Sequence, residues 1–172
     1  LKTSLNFIDE CNELRNIETN GGTIDASHTG WAYNKNQPYV VQGDNVERMQ
    51  LKVNSLLMAV AAIHANWNTK NDLEHLGDMD TPSGGEILSA GYMDPFDGWY
   101  IEERDNVLHP DRKDPDGQTG HYGVMTMQSW EYTGFAVAYA KYAPVHAQVF
   151  SEGELTDIGN GELMGEMGLM GY

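Results

Sequence analysis

Four side chains that can bind metal ions or transfer protons stand in four separate, turn-rich segments of this chain. They are His75 in Leu-Glu-His-Leu, Glu86 in Gly-Gly-Glu-Ile-Leu, Glu102 in Trp-Tyr-Ile-Glu and His121 in Gly-His-Tyr. Two neutral imidazoles bind divalent cations of the zinc type, and neighbouring carboxylates hold such rings in the tautomer that binding needs. None of the four segments is a specific motif, so this site depends on the fold bringing them together.

The elements that must position these side chains begin with three predicted helices. Helical spacing of apolar residues predicts the first over Thr3–Glu18, ended by Asn20-Gly-Gly. The second follows Asn54 as N-cap, ends near Thr69 and has almost no polar face, which favours burial on most sides. The third begins at Asp94-Pro95 and runs to about Asp105, because an Asx residue before proline starts a helix well.

The remaining segments are predicted as strands, loops and a tail. Two β-patterned runs, 133–139 and 145–150, predict an antiparallel hairpin. Residues 20–50 lack periodicity and predict a long loop region, with a short strand around 39–41. Residues 77–91 are also turn-rich. After Ser151 the chain becomes rich in glycine, methionine and acids, which predicts a tail that packs loosely on the body.

Composition sets limits on fold and partners. A chain of 172 residues with 40% apolar residues is sufficient for one domain with a sizeable core. Ten basic against 26 acidic residues leave a net charge of −16 and no basic patch, which argues against nucleic-acid partners and favours cations. The longest apolar run, 56–63, is too short to span a membrane. Cys11 stands alone on an apolar stripe and is predicted as a core residue without an intrachain disulfide. The start at Leu1 is typical of a processed or trimmed product.

In their order along the chain, these segments resemble the CAP superfamily of cysteine-rich secretory, antigen 5 and pathogenesis-related 1 proteins, in its cysteine-poor bacterial form. The matching pieces are Cys11-Asn-Glu-Leu-Arg15 for the Asn-x-x-Arg pattern, 51–61 for the second helix, Leu73-Glu-His75, Gly85-Glu86-Ile-Leu for the Gly-Glu-Asn-Ile box, Trp99-Tyr-Ile-Glu102 for Trp-x-x-Glu, and Gly120-His-Tyr122 with Thr133-Gly-Phe. The chain departs from the family at Ile87, which replaces the asparagine of the box, and in Gly-Val-Met-Thr after Tyr122.

The resemblance implies a fold, a site and a setting. The fold would be an α-β-α sandwich with a central, mainly antiparallel sheet, formed by residues 1–151 with an insertion at about 20–50, followed by the tail 152–172. His75 and His121 would hold a divalent metal, zinc above all, in a cleft that Glu86 and Glu102 also line. The implied setting is extracellular or in the cell envelope, and the cleft would accept a small ligand, a lipid or a peptide.

Three functional hypotheses follow. The first is a ligand-binding or interaction module whose cleft binds a metal without turnover. The second is a metal-dependent hydrolase of peptides or esters, with Glu86 or Glu102 as general base. The third is a structural protein that self-associates through the insertion and the tail.

Other polar residues have simpler interpretations. His64, in the apolar second helix, is expected to be hydrogen-bonded in the core, and His28, His109 and His146 are expected at the surface. Glu102 and Glu103 also fit a solvated helix start. Three acids, Asp111, Asp114 and Asp116, lack the spacing and the closing glutamate of a calcium loop.

Overall fold

The computed structural model describes residues 1–25, 38–76, 84–112 and 117–156. In chain order the elements are α1 (Lys2–Asn20), β1 (Gly22–Ile24), β2 (Tyr39–Val41), β3 (Lys52–Val53), α2 (Ser55–Asn68), β4 (Gly84–Ala90), a π-helical segment (Asp97–Glu102), α3 (Glu103–Leu108), a 3-10 turn (Pro110–Arg112), α4 (Gly120–Met125), β5 (Tyr132–Tyr139) and β6 (Pro144–Ser151). In these ranges, no helix is long and apolar enough to cross a lipid bilayer.

The main sheet has four strands in the order β3-β5-β6-β4. The hairpin predicted at 133–150 is confirmed: β5 and β6 pair antiparallel from Tyr132↔Ser151 to Tyr139↔Pro144. Strand β4 pairs antiparallel with the other side of β6, and only the short β3 runs parallel to its neighbour. The sheet is therefore mainly antiparallel, and β4 is one of its edges.

Helices cover both faces of this sheet. Alternate residues of β5 face opposite ways, so Phe135 packs in the cluster that contains the α1 stripe, whereas Ala136 packs with Leu57 of α2. The α2 backbone lies directly against β5 at Gly134, where a Cβ would come within 2.1 Å of the Leu57 carbonyl carbon. The α-β-α sandwich is confirmed, with Cys11 of α1 fully buried as predicted.

Local signals explain the ends of the two long helices. The Gly21 backbone has a φ of 78°, a conformation that glycine adopts without steric cost, and its N–H caps α1 at the Ile17 carbonyl. The Asn54 side chain accepts hydrogen bonds from the backbone N–H groups of Leu56 and Leu57 and so caps α2. The same Asn54 donates to the Leu155 carbonyl, so the first residues after Ser151 pack on the body.

Several predictions differ from the structure. Residues 84–90, predicted as turn-rich, form β4, because pairing with β6 outweighs their weak strand propensity. Part of the predicted loop 20–50 is the β1–β2 pair, and α4 was not predicted. The third helix continues past Asp105 to Leu108. The predictions for His28, for Asp114 and Asp116 and for the tail from residue 157 lie outside the described residues.

Candidate functional site

A cavity of about 350 Å³ lies at the free edge of β4, between that strand, the segment that follows α2 and the helices after β4. It is lined by Leu73, His75, Leu88, Ser89, Ala90, Tyr92, Gly98, Trp99, Glu102, Glu103, Asn106, Gln118 and His121. Three of the four predicted residues, His75, Glu102 and His121, are thus brought to one cavity. The fourth, Glu86, lies behind His75 and contacts its ring.

Glu86 is shared by two histidines. Its Oε1 lies 2.8 Å from Nδ1 of His75, whose side chain is 61% exposed. Its Oε2 pairs with Nδ1 of His64, a residue that is 1% exposed in the middle of α2. The predicted interpretation of His64 as a hydrogen-bonded core residue agrees with this geometry. Its partner could not be predicted, because 22 residues of chain separate His64 from Glu86.

A buried asparagine holds the segment that carries His75. The Asn68 side chain, at the end of α2, donates to the Glu74 carbonyl at 3.2 Å and accepts from the Glu74 N–H at 2.9 Å. This pair of bonds imitates backbone pairing and folds residues 69–74 back on the helix. His75 follows directly and therefore lies at the rim of the cavity.

The second imidazole has its own carboxylate. Nδ1 of His121 lies 2.5 Å from Oε1 of Glu103, and Oε2 of Glu103 accepts the backbone N–H of Tyr122 at 2.9 Å. Glu103 is 5% exposed, so its interpretation as a solvated residue at a helix start is wrong. It had not been predicted as a site residue, although it directly follows Glu102.

Glu102 and Glu103 lie at the junction of the π-helical segment and α3, and both line the cavity. Trp99 lies three residues before Glu102 and four before Glu103, and both spacings place side chains on one face of a helix. Glu102 lines the same cavity and accepts a hydrogen bond from the Tyr92 hydroxyl at 3.0 Å. The Trp-x-x-Glu pattern points only to Glu102, so it does not identify Glu103 as a site residue.

Trp99 fixes the helical side of the cavity to the strand. Its Nε1–H donates to the Leu88 carbonyl at 3.1 Å, so the indole occupies a backbone acceptor on the edge of β4. The His121 ring stacks on this indole, with centroids 6.2 Å apart and planes at 26°. The imidazole therefore has an aromatic support as well as a carboxylate partner.

A buried hub behind the cavity connects α1 to both α3 and α4. Glu18, which is 3% exposed, accepts hydrogen bonds from the Tyr100 hydroxyl (2.5 Å), Arg104 Nε (2.8 Å) and the Tyr122 hydroxyl (2.7 Å). Burial and the Glu18 carboxylate raise the pKa of both tyrosines. Burial alone would lower the pKa of Arg104, but its bonds to Tyr39 and Glu18 raise it overall. Arg104 and Tyr122 adjoin Glu103 and His121 in sequence, so the hub anchors both members of that pair.

His146 was expected at the surface, and this prediction is wrong. It is 1% exposed and lies among aromatic rings, Phe135 at 6.1 Å and Trp99 at 6.5 Å between centroids, because its position on β6 faces the α1 side of the sheet. Burial lowers its pKa to about 4, against which Asp94 acts weakly. Its Nδ1 lies 3.2 Å from the hydroxyl of Ser89, which lines the cavity. His109, with a side chain 42% exposed, agrees with its predicted surface position.

The donor set at the cavity fits a metal held by two histidines. Carboxylates accept hydrogen bonds, so the Nδ1 atoms facing Glu86 and Glu103 carry the protons, and the Nε2 atoms of His75 and His121 keep lone pairs for a cation. Metal-binding histidines in proteins donate their other ring N–H to a carboxylate, a backbone carbonyl or water, so a carboxylate behind each imidazole is consistent with such a site. In the described ranges, no group of three or more His, Cys, Asp or Glu side chains is arranged to hold a metal ion.

Comparison with known proteins identifies the fold. No protein-family model and no curated protein matches the sequence. Solved structures do match: Na-ASP-1 (TM-score 0.58, 19% identity, 86% of this chain), venom allergen-like protein 4 of Schistosoma mansoni (0.54, 17%, 90% of both chains) and NaASP2 with Zn²⁺ (0.53, 13%, 88% of this chain and 82% of that one). The match spans only 38% of the length of Na-ASP-1. These neighbours have the CAP fold, and the expected CAP architecture is confirmed for this chain.

Proposed function

We propose that this chain, which has the CAP fold, is a ligand-binding module whose cavity at the β4 edge binds a divalent metal ion through His75 and His121. The observation that carries the proposal is the repeated pairing of a cavity imidazole with a carboxylate through Nδ1, once with Glu86 and once with Glu103. The solved structure of NaASP2 with Zn²⁺ supports zinc as the ion to test first.

Each residue of the site has a defined task in this proposal. Glu86 and Glu103 hold the imidazoles in the tautomer with Nε2 unprotonated, and Trp99 supports the ring of His121. A metal bound by two histidines would supply a Lewis-acidic centre with open positions for oxygen or nitrogen atoms of a ligand. The cavity of about 350 Å³ has room for a small ligand, a lipid group or a segment of a peptide.

Charge narrows the class of ligand. The described residues that line the cavity include Glu102 and Glu103 but neither lysine nor arginine. Together with the net charge of −16, this disfavours anionic ligands in the metal-free protein and favours cationic or neutral ones. The bound metal would then be the site's positive group for a ligand's acceptor atoms.

Calorimetric titration with zinc tests the proposal. The wild type should bind one ion, and His75→Ala with His121→Ala should abolish that binding, because both nitrogen ligands are lost. His109→Ala is the matched control, since His109 is a partly exposed histidine outside the cavity lining. Equal binding by the wild type and the double variant would remove the metal from the proposal, and so would an equal loss in the control.

An extracellular or cell-envelope location is part of the same proposal and is supported by the resemblance to secreted CAP proteins. The net charge of −16 is compatible with this location, because an acidic surface favours solubility. Immunodetection in cell, envelope and medium fractions of the producing organism tests it, and a signal confined to the cytoplasm would contradict it.

A further inference from the structure

Each carboxylate that pairs with a cavity imidazole is itself anchored through its second oxygen. In Glu103 that oxygen accepts the backbone N–H of Tyr122. In Glu86 it accepts Nδ1–H of His64. The two halves of the site thus have the same design, an imidazole, a carboxylate and a second donor. The donor on the Glu86 side is a buried side chain that can be changed.

Histidine is an energetically unfavourable residue at position 64, because the site is buried and apolar. It lies in an apolar helix between Val60 and Asn68 and is 1% exposed. Its buried Nε2 has no hydrogen-bond partner among the residues that the structure describes. An unsatisfied buried polar atom destabilises the folded state, because it gives up its hydrogen bonds to water without replacement. Leucine would fill a similar space without that cost. In the part of the chain that the structure describes, the hydrogen bond to Glu86 is the one polar interaction of the His64 ring, and it offsets this cost.

The exposed imidazole on the same carboxylate needs this anchor. His75 has a side chain 61% exposed at the end of a loop, so packing alone does not hold its ring. Its orientation and tautomer depend on Glu86, and Glu86 sits on an edge strand with a side chain 11% exposed. A carboxylate tied through both oxygens cannot rotate away from the ring, whereas one tied through a single oxygen can.

We propose that His64 is a positioning residue of the cavity: it holds Glu86 in the rotamer that keeps His75 protonated on Nδ1 and leaves Nε2 open to a ligand. The metal-binding consequence rests on the proposed function. The tautomer of His75 does not, because it is a property of the metal-free protein.

The experiment compares His64→Asn with His64→Leu in the full chain. The Asn side chain places an N–H close to the position of Nδ1 and keeps the bond to Glu86, whereas Leu keeps the volume and removes the donor. Ring nitrogens of His75 are followed by long-range ¹H–¹⁵N correlation spectra of the metal-free protein, and zinc affinity by competition with a chelator. His109→Asn is the control for the loss of a histidine elsewhere.

The expected result separates the two variants. His64→Leu should shift His75 towards the Nε2–H tautomer and weaken zinc binding about 10-fold, the lower end of the range for loss of a residue that orients a metal ligand. His64→Asn and His109→Asn should keep the wild-type tautomer and affinity. A folded His64→Leu protein with the wild-type tautomer would overturn the inference, as would an Asn variant no better than Leu.

Two further outcomes are also decisive. If His64→Leu does not fold, His64→Gln replaces it, because its amide lies one carbon further from the backbone and misses Glu86; equal tautomers in the Asn and Gln variants then overturn the inference. If the wild type binds no zinc, the proposed function fails, while the tautomer of His75 still decides the role of His64.

Discussion

Removing the carboxylate of Glu18 should destabilise the protein far more than removing any exposed acid of the same helix. Glu18 receives three hydrogen bonds in the interior, one of them from the guanidinium of Arg104. The side chains of this ion pair are 4% and 9% exposed. The perturbation is Glu18→Ala, with Glu18→Gln as the milder version that keeps the shape.

The magnitude follows from what remains after the change. Glu18→Ala leaves the buried charge of Arg104 without its partner, and breaking a buried pair in this way costs about 3–5 kcal/mol. Glu18→Gln keeps one acceptor oxygen, but its hydrogen bonds no longer involve a carboxylate and its NH2 group points at donors. We therefore expect it to lower the free energy of unfolding by about 1.5–3 kcal/mol. Adding Arg104→Met to Glu18→Ala removes the stranded charge, so the double variant should recover part of the loss.

Urea unfolding followed by tryptophan fluorescence and circular dichroism measures these free energies. Glu13→Ala is the matched control, because Glu13 is an exposed glutamate on α1. It should change the free energy of unfolding by no more than about 0.5 kcal/mol. The denaturant dependence of the free energy should stay constant across the set, which shows that the same transition is being compared.

The reasoning would be refuted if Glu18→Ala cost no more than Glu13→Ala. It would also be refuted if Arg104→Met added its full cost to that of Glu18→Ala, because the pair would then not be coupled. The first result would mean that α1 is held to α3 and α4 by apolar packing and that the polar hub contributes little. The second would mean that Glu18 and Arg104 act independently of each other.

Three other predictions concern the core. Burial lowers the pKa of His146 to about 4, while the unfolded chain keeps the ordinary value, so acid favours unfolding. Between about pH 7 and about pH 5 the free energy of unfolding should therefore fall by about 2 kcal/mol more in the wild type than in His146→Phe. An equal pH dependence of the two proteins would contradict this. Gly134→Ala should cost about 3 kcal/mol in thermal unfolding because its Cβ meets the α2 backbone, whereas Gly123→Ala, with open space around it, should not destabilise. Cys11, buried and with its pKa raised to about 12 by burial, should react with iodoacetamide only in denaturant, and fast labelling of the native protein would be the contrary result.

Short segments of sequence identified residues that the structure places on one cavity, but they did not identify every carboxylate there. His75 and His121 were assigned from short segments and do line one cavity. Glu102 was assigned from the Trp-x-x-Glu segment, and Glu103, which was not assigned, also lines the cavity and pairs with His121. The burial of His146 was missed because the strand pattern does not show that β6 is an inner strand, in which both faces are covered and every residue from Val145 to Ser151 is buried.

The pattern of residues along the chain determined α1, α2, their caps and the β5–β6 hairpin, because the signals for these elements lie within a few residues of each other. Only the tertiary structure decided that Glu86 joins His64 to His75, that Glu18 joins three helical segments, and that β4 is a strand at all. Each of those outcomes depends on groups that are far apart in sequence and are brought into contact only when the sheet and its helices pack together.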